Sequence, residues 1–306
     1  MAYAVVIGAA NMDVGALSGA PLRMGDSNPG EVKLSCGGVG RNIAHNLRLL
    51  GVETSLITVL GEDSFATELR QNADAVGLDL TRSVTVPGGR TSSYVYVADA
   101  DGDMTAAVND MAIYDRLTPE ALAPHLPFIN GAAAVVLDAN LPEETIEWLC
   151  RNTTARIMAD PVSAAKAPRL KNVLGRLFAL KPNRLEAEAL TGMTIRSAAD
   201  ARDAAAQLLE AGVEQVYLSL AAQGIVAAWH GGTAHLLTPQ ITAVSTTGGG
   251  DAMMAALAAM LAEGATPEQA ARFAAGAGAL ASMSTETVNP AMCRTAVEEL
   301  LKGAAV

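Results

Sequence analysis

Short apolar runs of strand length alternate with longer segments of helical spacing along most of this chain, and no other feature limits its fold so strongly. Residues 5–9 are an apolar run closed by small residues, and 39–50 follow with helical spacing until Gly51 caps the turn. Residues 54–60 are again strand-like and 65–76 again helical, and the rhythm resumes at 132–138, 156–160, 177–181 and 215–220. Strands buried on both faces and joined by helical crossovers predict an α/β chain whose mostly parallel sheet is covered on both sides. A chain of 306 residues, 50% of them hydrophobic, is long enough for one large body of this kind with a small accessory lobe.

Two stretches break the rhythm. Residues 14–35 carry Gly, Pro, Ser and Asp around short β-like pieces, and 80–111 hold alternating strands at 91–97 and 104–108 around a turn at 99–103. Together they read as a small β-sheet lobe inserted into a body formed by 1–13, 36–79 and 112–306. A lobe made of non-contiguous pieces can hinge over a site as a lid and exclude water from it. The plainer alternative is a pair of decorative hairpins.

Composition removes several function classes. Aromatic residues are 4% of the chain and the formal net charge is −11, so there is neither a base-stacking platform nor a basic footprint, and no nucleic-acid partner is expected. A nucleotide bound here needs a local field from backbone N–H groups and a metal ion. The three cysteines, Cys36, Cys150 and Cys293, are far apart and odd in number, which points to a reducing compartment rather than a disulfide framework. The first eight residues lack a basic region and read as a buried strand rather than a signal peptide. No uninterrupted apolar stretch reaches membrane-spanning length, so no membrane partner is expected and the expected location is cytoplasmic.

The chemistry is concentrated in glycine turns. Ser245-Thr246-Thr247-Gly248-Gly249-Gly250-Asp251 runs straight into an alanine-rich helical segment. Glycines at a helix start bring unpaired N–H groups and the positive dipole end to one spot, which favours an anion, and Asp251 sets a carboxylate beside it. An ordinary helix start with Asp near its N-terminus has the same composition. No Lys-Ser/Thr follows the glycines, so this is not a Walker A loop. Gly37-Gly38-Val39-Gly40-Arg41-Asn42-Ile43-Ala44 opens a second helix, and Asn42 there is placed to hydrogen-bond a ligand hydroxyl. Asn11 and Asp13 follow the first strand, where open α/β sheets bind ligands, and a carboxylate such as Asp13 can accept from a vicinal diol.

Taken in order, Asn11-Met12-Asp13, the glycine pair with Asn42, Lys181-Pro182-Asn183-Arg184-Leu185-Glu186 and Thr247-Gly248-Gly249-Gly250-Asp251 resemble the motifs of the ribokinase-like (PfkB) carbohydrate and nucleoside kinases, across essentially the whole chain. Within that family the finer resemblance is to the pseudouridine-kinase subfamily. It is carried by Asp26-Ser27-Asn28-Pro29-Gly30, by residues 37–44, by Asn109-Asp110-Met111, by Asp160-Pro161-Val162-Ser163-Ala164, by residues 180–188 and by Gly250-Asp251-Ala252-Met253-Met254. The ribokinase type more often has Lys-Gly-Ala in place of Val39-Gly40-Arg41.

The resemblance implies a three-layer α/β/α body with a small β-sheet lid, and an ATP- and Mg2+-dependent transfer to the 5′-hydroxyl of pseudouridine. It implies Asp251 as the base, with the N–H groups of Gly248, Gly249 and Gly250 as the anion hole and Thr247 beside the ATP phosphates. Asn183 and Glu186 match an N-x-x-E motif that positions magnesium, Glu186 through water, while Ser219 and Gly224 fall on the ATP side. Asp13 and Asn42 match the readers of the ribose hydroxyls, with Gly38 allowing the sugar to come close. Candidates to read the base are Asn11, Ser27, Asn28, Asn109, Asp110 and Lys166. A uracil joined through carbon exposes an extra ring N–H, and a buried acceptor left unpaired by uridine would cost about 1–3 kcal/mol.

This chain also departs from the family pattern. Ser245 stands where an Asp often helps to hold a monovalent cation, which leaves a potassium requirement open, and Gly249 replaces the usual Ala. Ala221 and Ala222 stand where ATP-side glycines are common. A kinase for another nucleoside or for ribose shares every catalytic residue, and a silent nucleotide or sugar sensor shares the fold. Relatives often dimerise through the lid strands, whose edges need cover, so a homodimer is expected.

Overall fold

The computed structural model describes residues 2–101 and 103–303. Met1 of the opening run and Gly102 of the 99–103 turn therefore lie outside the described residues. The strands are β1 (Tyr3–Ile7), β2 (Asn11–Ser18), β3 (Gly30–Gly37), β4 (Glu53–Ile57), β5 (Val59–Leu60), β6 (Val84–Thr85) and β7 (Ser93–Ala98). They continue with β8 (Met104–Asp110), β9 (Ala134–Asp138), β10 (Ile157–Asp160), β11 (Ala179–Leu180), β12 (Gln215–Ser219), β13 (Ile225–Trp229) and β14 (Gly232–Leu236).

Eight strands form the main sheet in the order β14-β13-β12-β11-β10-β9-β1-β4. Neighbours from β4 to β12 pair parallel, whereas β12, β13 and β14 pair antiparallel. The alternation of side chains along each strand builds two cores. Ala4, Val6, Ala134, Val136, Met158 and Tyr217 point into one with the helices Val39–Leu49, Gly249–Ala262 and Pro267–Ala281. Val5, Ile7, Val135, Leu137, Ile157, Ala159 and Val216 point into the other with the helices Glu143–Asn152, Arg184–Thr191 and Ala198–Glu210. The result is an α/β fold in three layers, helices over both faces of a mostly parallel sheet.

A second sheet has four strands in the order β3-β2-β7-β8, with β2 parallel to β7 and the two outer pairs antiparallel. Its strand β2 begins at Asn11, only three residues beyond the end of β1. The link between the sheets is pinned by Tyr114. Its buried hydroxyl donates to the carbonyl of Ala10 at 2.6 Å and accepts from the N–H of Ala10 at 2.8 Å. Two short strands, β5 and β6, pair separately in parallel.

The hairpin β13–β14 was not anticipated from the strand–helix alternation. Its turn is His230-Gly231, between Trp229 and Gly232, and β13 follows β12 with only a one-turn 3-10 helix between, so no helical crossover announces it. Among the described residues no helix is long and apolar enough to cross a membrane.

Candidate active site

The carboxyl ends of β1, β9, β10, β11 and β12 meet the N-termini of three helices on one edge of the main sheet, the edge at which open α/β sheets bind ligands. The helix Gly249–Ala262 starts from Gly248, which adopts φ +81° and makes no side-chain cap. A Cβ at Gly248 would sit 1.9 Å from the Thr287 carbonyl oxygen, so only glycine fits. Among the described residues nothing accepts from the N–H groups of Gly249, Gly250 or Asp251. Three free donors at a positive helix end fit an anion. Thr247 differs, because its N–H is turned back to Ser245 Oγ at 3.2 Å.

Asp251 lies in the first turn of that helix and accepts from Asn42 Nδ2 at 2.8 Å. Asn42 is buried in the first turn of Val39–Leu49. Burial pushes the Asp251 carboxyl up to about 7 and Asp160 adds to the rise, while Asn42 and Lys181 act against it. A carboxylate with this affinity can take a proton near neutral pH.

Opposite stands a buried ion pair formed by two residues of the motifs, Asp160 and Lys181. Lys181 Nζ lies 3.1 Å from Asp160 Oδ2, with both side chains about 5% exposed or less. Burial opposes the lysine's charge, but Asp160, Glu186 and Asp251 together hold its pKa above the ordinary value. The ammonium is 3.4 Å from where a Gly250 Cβ would stand, so it faces the same helix start. Asp160 ends one buried strand and Lys181 follows the next, and a charge closing an apolar strand was the signal available in the sequence.

Asn183 and Glu186 form a capping box. Asn183 Oδ1 accepts from the Glu186 N–H at 3.0 Å, and the Asn183 N–H and Nδ2 donate to the Glu186 carboxylate at 2.8 and 2.7 Å. Burial raises the Glu186 pKa and Lys181 opposes the rise. Among the described residues no cluster of three His, Cys, Asp or Glu side chains could hold a metal alone. A divalent ion fits here only in the manner magnesium favours, through retained water and phosphate oxygens beside Glu186. Ser219 adjoins this corner, its N–H donating to Pro182 O at 2.9 Å. Gly224 has φ +94° in the turn behind it, where a Cβ would meet the Leu236 carbonyl at 2.0 Å.

The other rim carries Asn11 and Asp13. Asn11 Nδ2 donates to Asp13 Oδ1 at 2.5 Å, and burial pushes the Asp13 carboxyl up to about 6 against that bond and the nearby Arg41 charge. Gly38, expected to admit a sugar, is needed for a closer neighbour. At φ +95° it packs on Ala9 and Ala10, and a Cβ would lie 2.5 Å from the Ala9 carbonyl. Lys166 bonds Asn140 Oδ1 beside Asp138, a carboxylate with no exposed surface that accepts from the N–H groups of Ala9 and Asn140. Asp138, Asn140 and Arg41 were not among the residues singled out from sequence.

The remaining candidates separate. Asp13, Tyr94 and Asn109 are register partners across β2, β7 and β8, so Asn109 shares the face of Asp13. Asp110 points to the opposite face and pairs with exposed Arg90 at 3.1 Å. Ser27 and Asn28 lie in the β2–β3 turn, beyond Ser18 and at the far end of the strand from Asn11. Asn28 closes that turn by bonding the N–H and carbonyl of Arg23. The structure thus gathers Asn11, Asp13, Gly38, Asn42, Asn183, Glu186, Ser219 and the 247–251 turn on one edge, with Lys166 at its rim. It leaves Ser27, Asn28 and Asp110 outside.

The pfkB family of carbohydrate kinases matches residues 1–292. This chain belongs to that family. The pseudouridine kinase of Escherichia coli is 37% identical over 304 residues, covering 99% of this chain and 97% of that one. A carbohydrate kinase from Agrobacterium tumefaciens superposes with a TM-score of 0.89 at 32% identity, over 99% of this chain and 98% of its own. The ribokinase of Arabidopsis thaliana, solved with ribose and ATP, gives 0.87 at 25% identity, over 99% of this chain and the whole of its own. In this PfkB kinase the open helix start, the raised carboxylate and the buried lysine are thus parts of a phosphotransferase fold.

Proposed function

We propose that the protein phosphorylates the 5′-hydroxyl of pseudouridine with ATP and Mg2+, yielding pseudouridine 5′-phosphate and ADP. The observation that carries the chemistry is Asp251, a carboxylate poised near neutrality beside three free N–H donors. Asp251 takes the proton of the 5′-hydroxyl as its oxygen joins the γ-phosphorus and the bond to the β-phosphate oxygen breaks. The N–H groups of Gly249 and Gly250, with that of Gly248, and the Lys181 ammonium stabilise the charge that spreads over the phosphoryl oxygens. Glu186 and Asn183 would hold the waters of a magnesium ion, which would supply charge to neutralise the phosphates.

Asp13 and Asn42 hold the ribose hydroxyls, and Asn109, which shares the sheet face of Asp13, and Lys166 read the base. The substrate itself rests on the likeness to the Escherichia coli enzyme, across nearly the full length of both chains. Cover for the small sheet comes from a second copy. Leu34, Val14, Val95 and Val108 form an in-register row over its four strands, and Leu34 and Val108 are 62% and 71% exposed.

The test is ADP release measured with pseudouridine, uridine, other nucleosides and ribose as acceptors. Pseudouridine is expected to give the highest kcat/KM. A higher value for any other acceptor overturns the substrate and leaves the kinase assignment standing.

A further inference from the structure

Arg41 is buried, yet among the described residues no carboxylate lies within ion-pair distance of it. Its guanidinium is spent on neutral acceptors. Nη1 donates to the Cys36 carbonyl and to Asn42 Oδ1, both at 2.9 Å. Nη2 donates to Asn72 Oδ1 at 2.6 Å and meets His45 Nδ1 at 3.0 Å. Burial and the Arg41 charge keep His45 neutral, with its pKa lowered to about 4, so its Nδ1 is free to accept.

This arrangement decides something Asn42 cannot decide alone. A side-chain amide has a donor end and an acceptor end of nearly the same shape, and its neighbours choose between them. Arginine only donates, so Asn42 must turn its oxygen to Arg41, and its Nδ2 is left facing Asp251. In the reverse orientation two donors would confront each other at Arg41 and two acceptors at Asp251.

We propose that Arg41 is a positioning residue for phosphoryl transfer, locking Asn42 in the one orientation that donates to Asp251 and so keeping that carboxylate ionised and aimed. The inference rests on the reading of Asp251 as the base. Other groups also face Asp251: Lys181 favours its ionisation, Asp160 and Asp138 oppose it, and Glu186 acts through Lys181. Arg41 and Asp251 also feel each other directly through charge, so the part that passes through the Asn42 amide is the difference between the effect of Arg41 with and without that side chain.

The experiment compares Arg41→Met, Asn42→Ala and the double variant, with Arg41→Lys as a milder change should the methionine variant fail to fold. One readout is the acid limb of kcat/KM against pH. The other is the carboxyl-carbon NMR titration of Asp251 in the ligand-free protein, assigned with Asp251→Asn. Arg41→Met is expected to move both upward by about one pH unit and to lower kcat more than it raises KM for ATP. In the Asn42→Ala background it is expected to move both clearly less, because only the direct charge effect of Arg41 remains. Arg41→Lys keeps the charge but loses the fork, and a smaller shift in the same direction is expected. An unchanged titration in Arg41→Met, or a shift of equal size with and without the Asn42 side chain, overturns the proposal. The NMR titration needs no turnover, so an Asn42-dependent shift in a protein that phosphorylates no nucleoside would uphold the positioning role while sinking the kinase chemistry.

Discussion

The edge of the main sheet and the small sheet solve opposite problems. At the edge, Asp138, Asp160, Lys181, Glu186 and Asp251 are crowded into a poorly hydrated space, and each carries a stated partner. In the small sheet, every residue of β8 is exposed, and Leu34 and Val108 at the ends of the apolar row are 62% and 71% exposed, although Val14 between them packs on the core. The first region is finished within one chain. The second is unfinished, and its geometry makes sense once something covers it. The catalytic chemistry proposed above would thus sit in the body, and the proposed dimer would use the sheet that still has surface to bury.

The largest effect expected from breaking this contrast is at the body. Asp251→Asn should lower kcat by roughly 10²–10⁴-fold with little change in binding of a non-hydrolysable ATP analogue; retained turnover would remove Asp251 from the role of base. The same variant carries a stability consequence. The carboxyl titrates at 3.8 in the unfolded chain and at about 7 in the fold. Between those values the folded protein holds a proton the unfolded chain has released, so stability falls as pH rises across that window. Asp251→Asn should therefore melt above wild type at pH 8 and converge with it near pH 4. Wild-type kcat/KM should decline as pH drops below about 7.

Next in size is Gly248→Ala. A left-handed conformation costs a residue with a Cβ about 1–3 kcal/mol, and here the methyl also meets the Thr287 carbonyl. Lower stability in urea and a weakened ATP site should appear together, and an unaffected urea midpoint would contradict the geometry.

At the small sheet, Leu34→Glu combined with Val108→Glu should convert dimers to monomers in sedimentation, with the melting transition of the body little changed. A wild-type chain that sediments as a monomer breaks the contrast at that point. The smallest effects sharpen the register within the sheet. Asn109→Ala should raise KM for the nucleoside several-fold. Asp110→Ala should change neither KM nor stability, because its partner Arg90 is exposed and such pairs contribute roughly 0–1 kcal/mol.

Legibility followed the same division. The parallel strands could be read because each is a short apolar run buried on both faces, and the glycine turn because only a few residue types suit a helix start. The β13–β14 hairpin was missed because Ile225–Trp229 follows β12 without a crossover helix. Asn109 and Asp110 looked equivalent in sequence, since which face each takes depends on register with Tyr94 and Ser93. Asn28 read as a base contact, whereas its amide is used within its own turn. Gly38 read as room for a sugar, and the close packing of its own backbone on Ala9 and Ala10 is a second reason for a glycine there that only the structure shows. Asp138 acts through Ala9, far away in sequence, and Arg41 through side chains whose orientation only the packed helix fixes, so no local pattern reveals either role.

The position of β1 bears on how the chain is made. This first strand lies between β4 and β9, so one of its two neighbours, Ala134–Asp138, emerges from the ribosome more than a hundred residues later. Ala10 waits nearly as long for Tyr114. Until then the nascent chain presents an apolar strand with one side unpaired, the kind of surface on which chains associate wrongly. Contacts of such sequence separation also slow folding, because a long loop must close before they reward it. The β4 side of the finished sheet is thus closed only once Asp138 has been made, with more than half of the chain still to come.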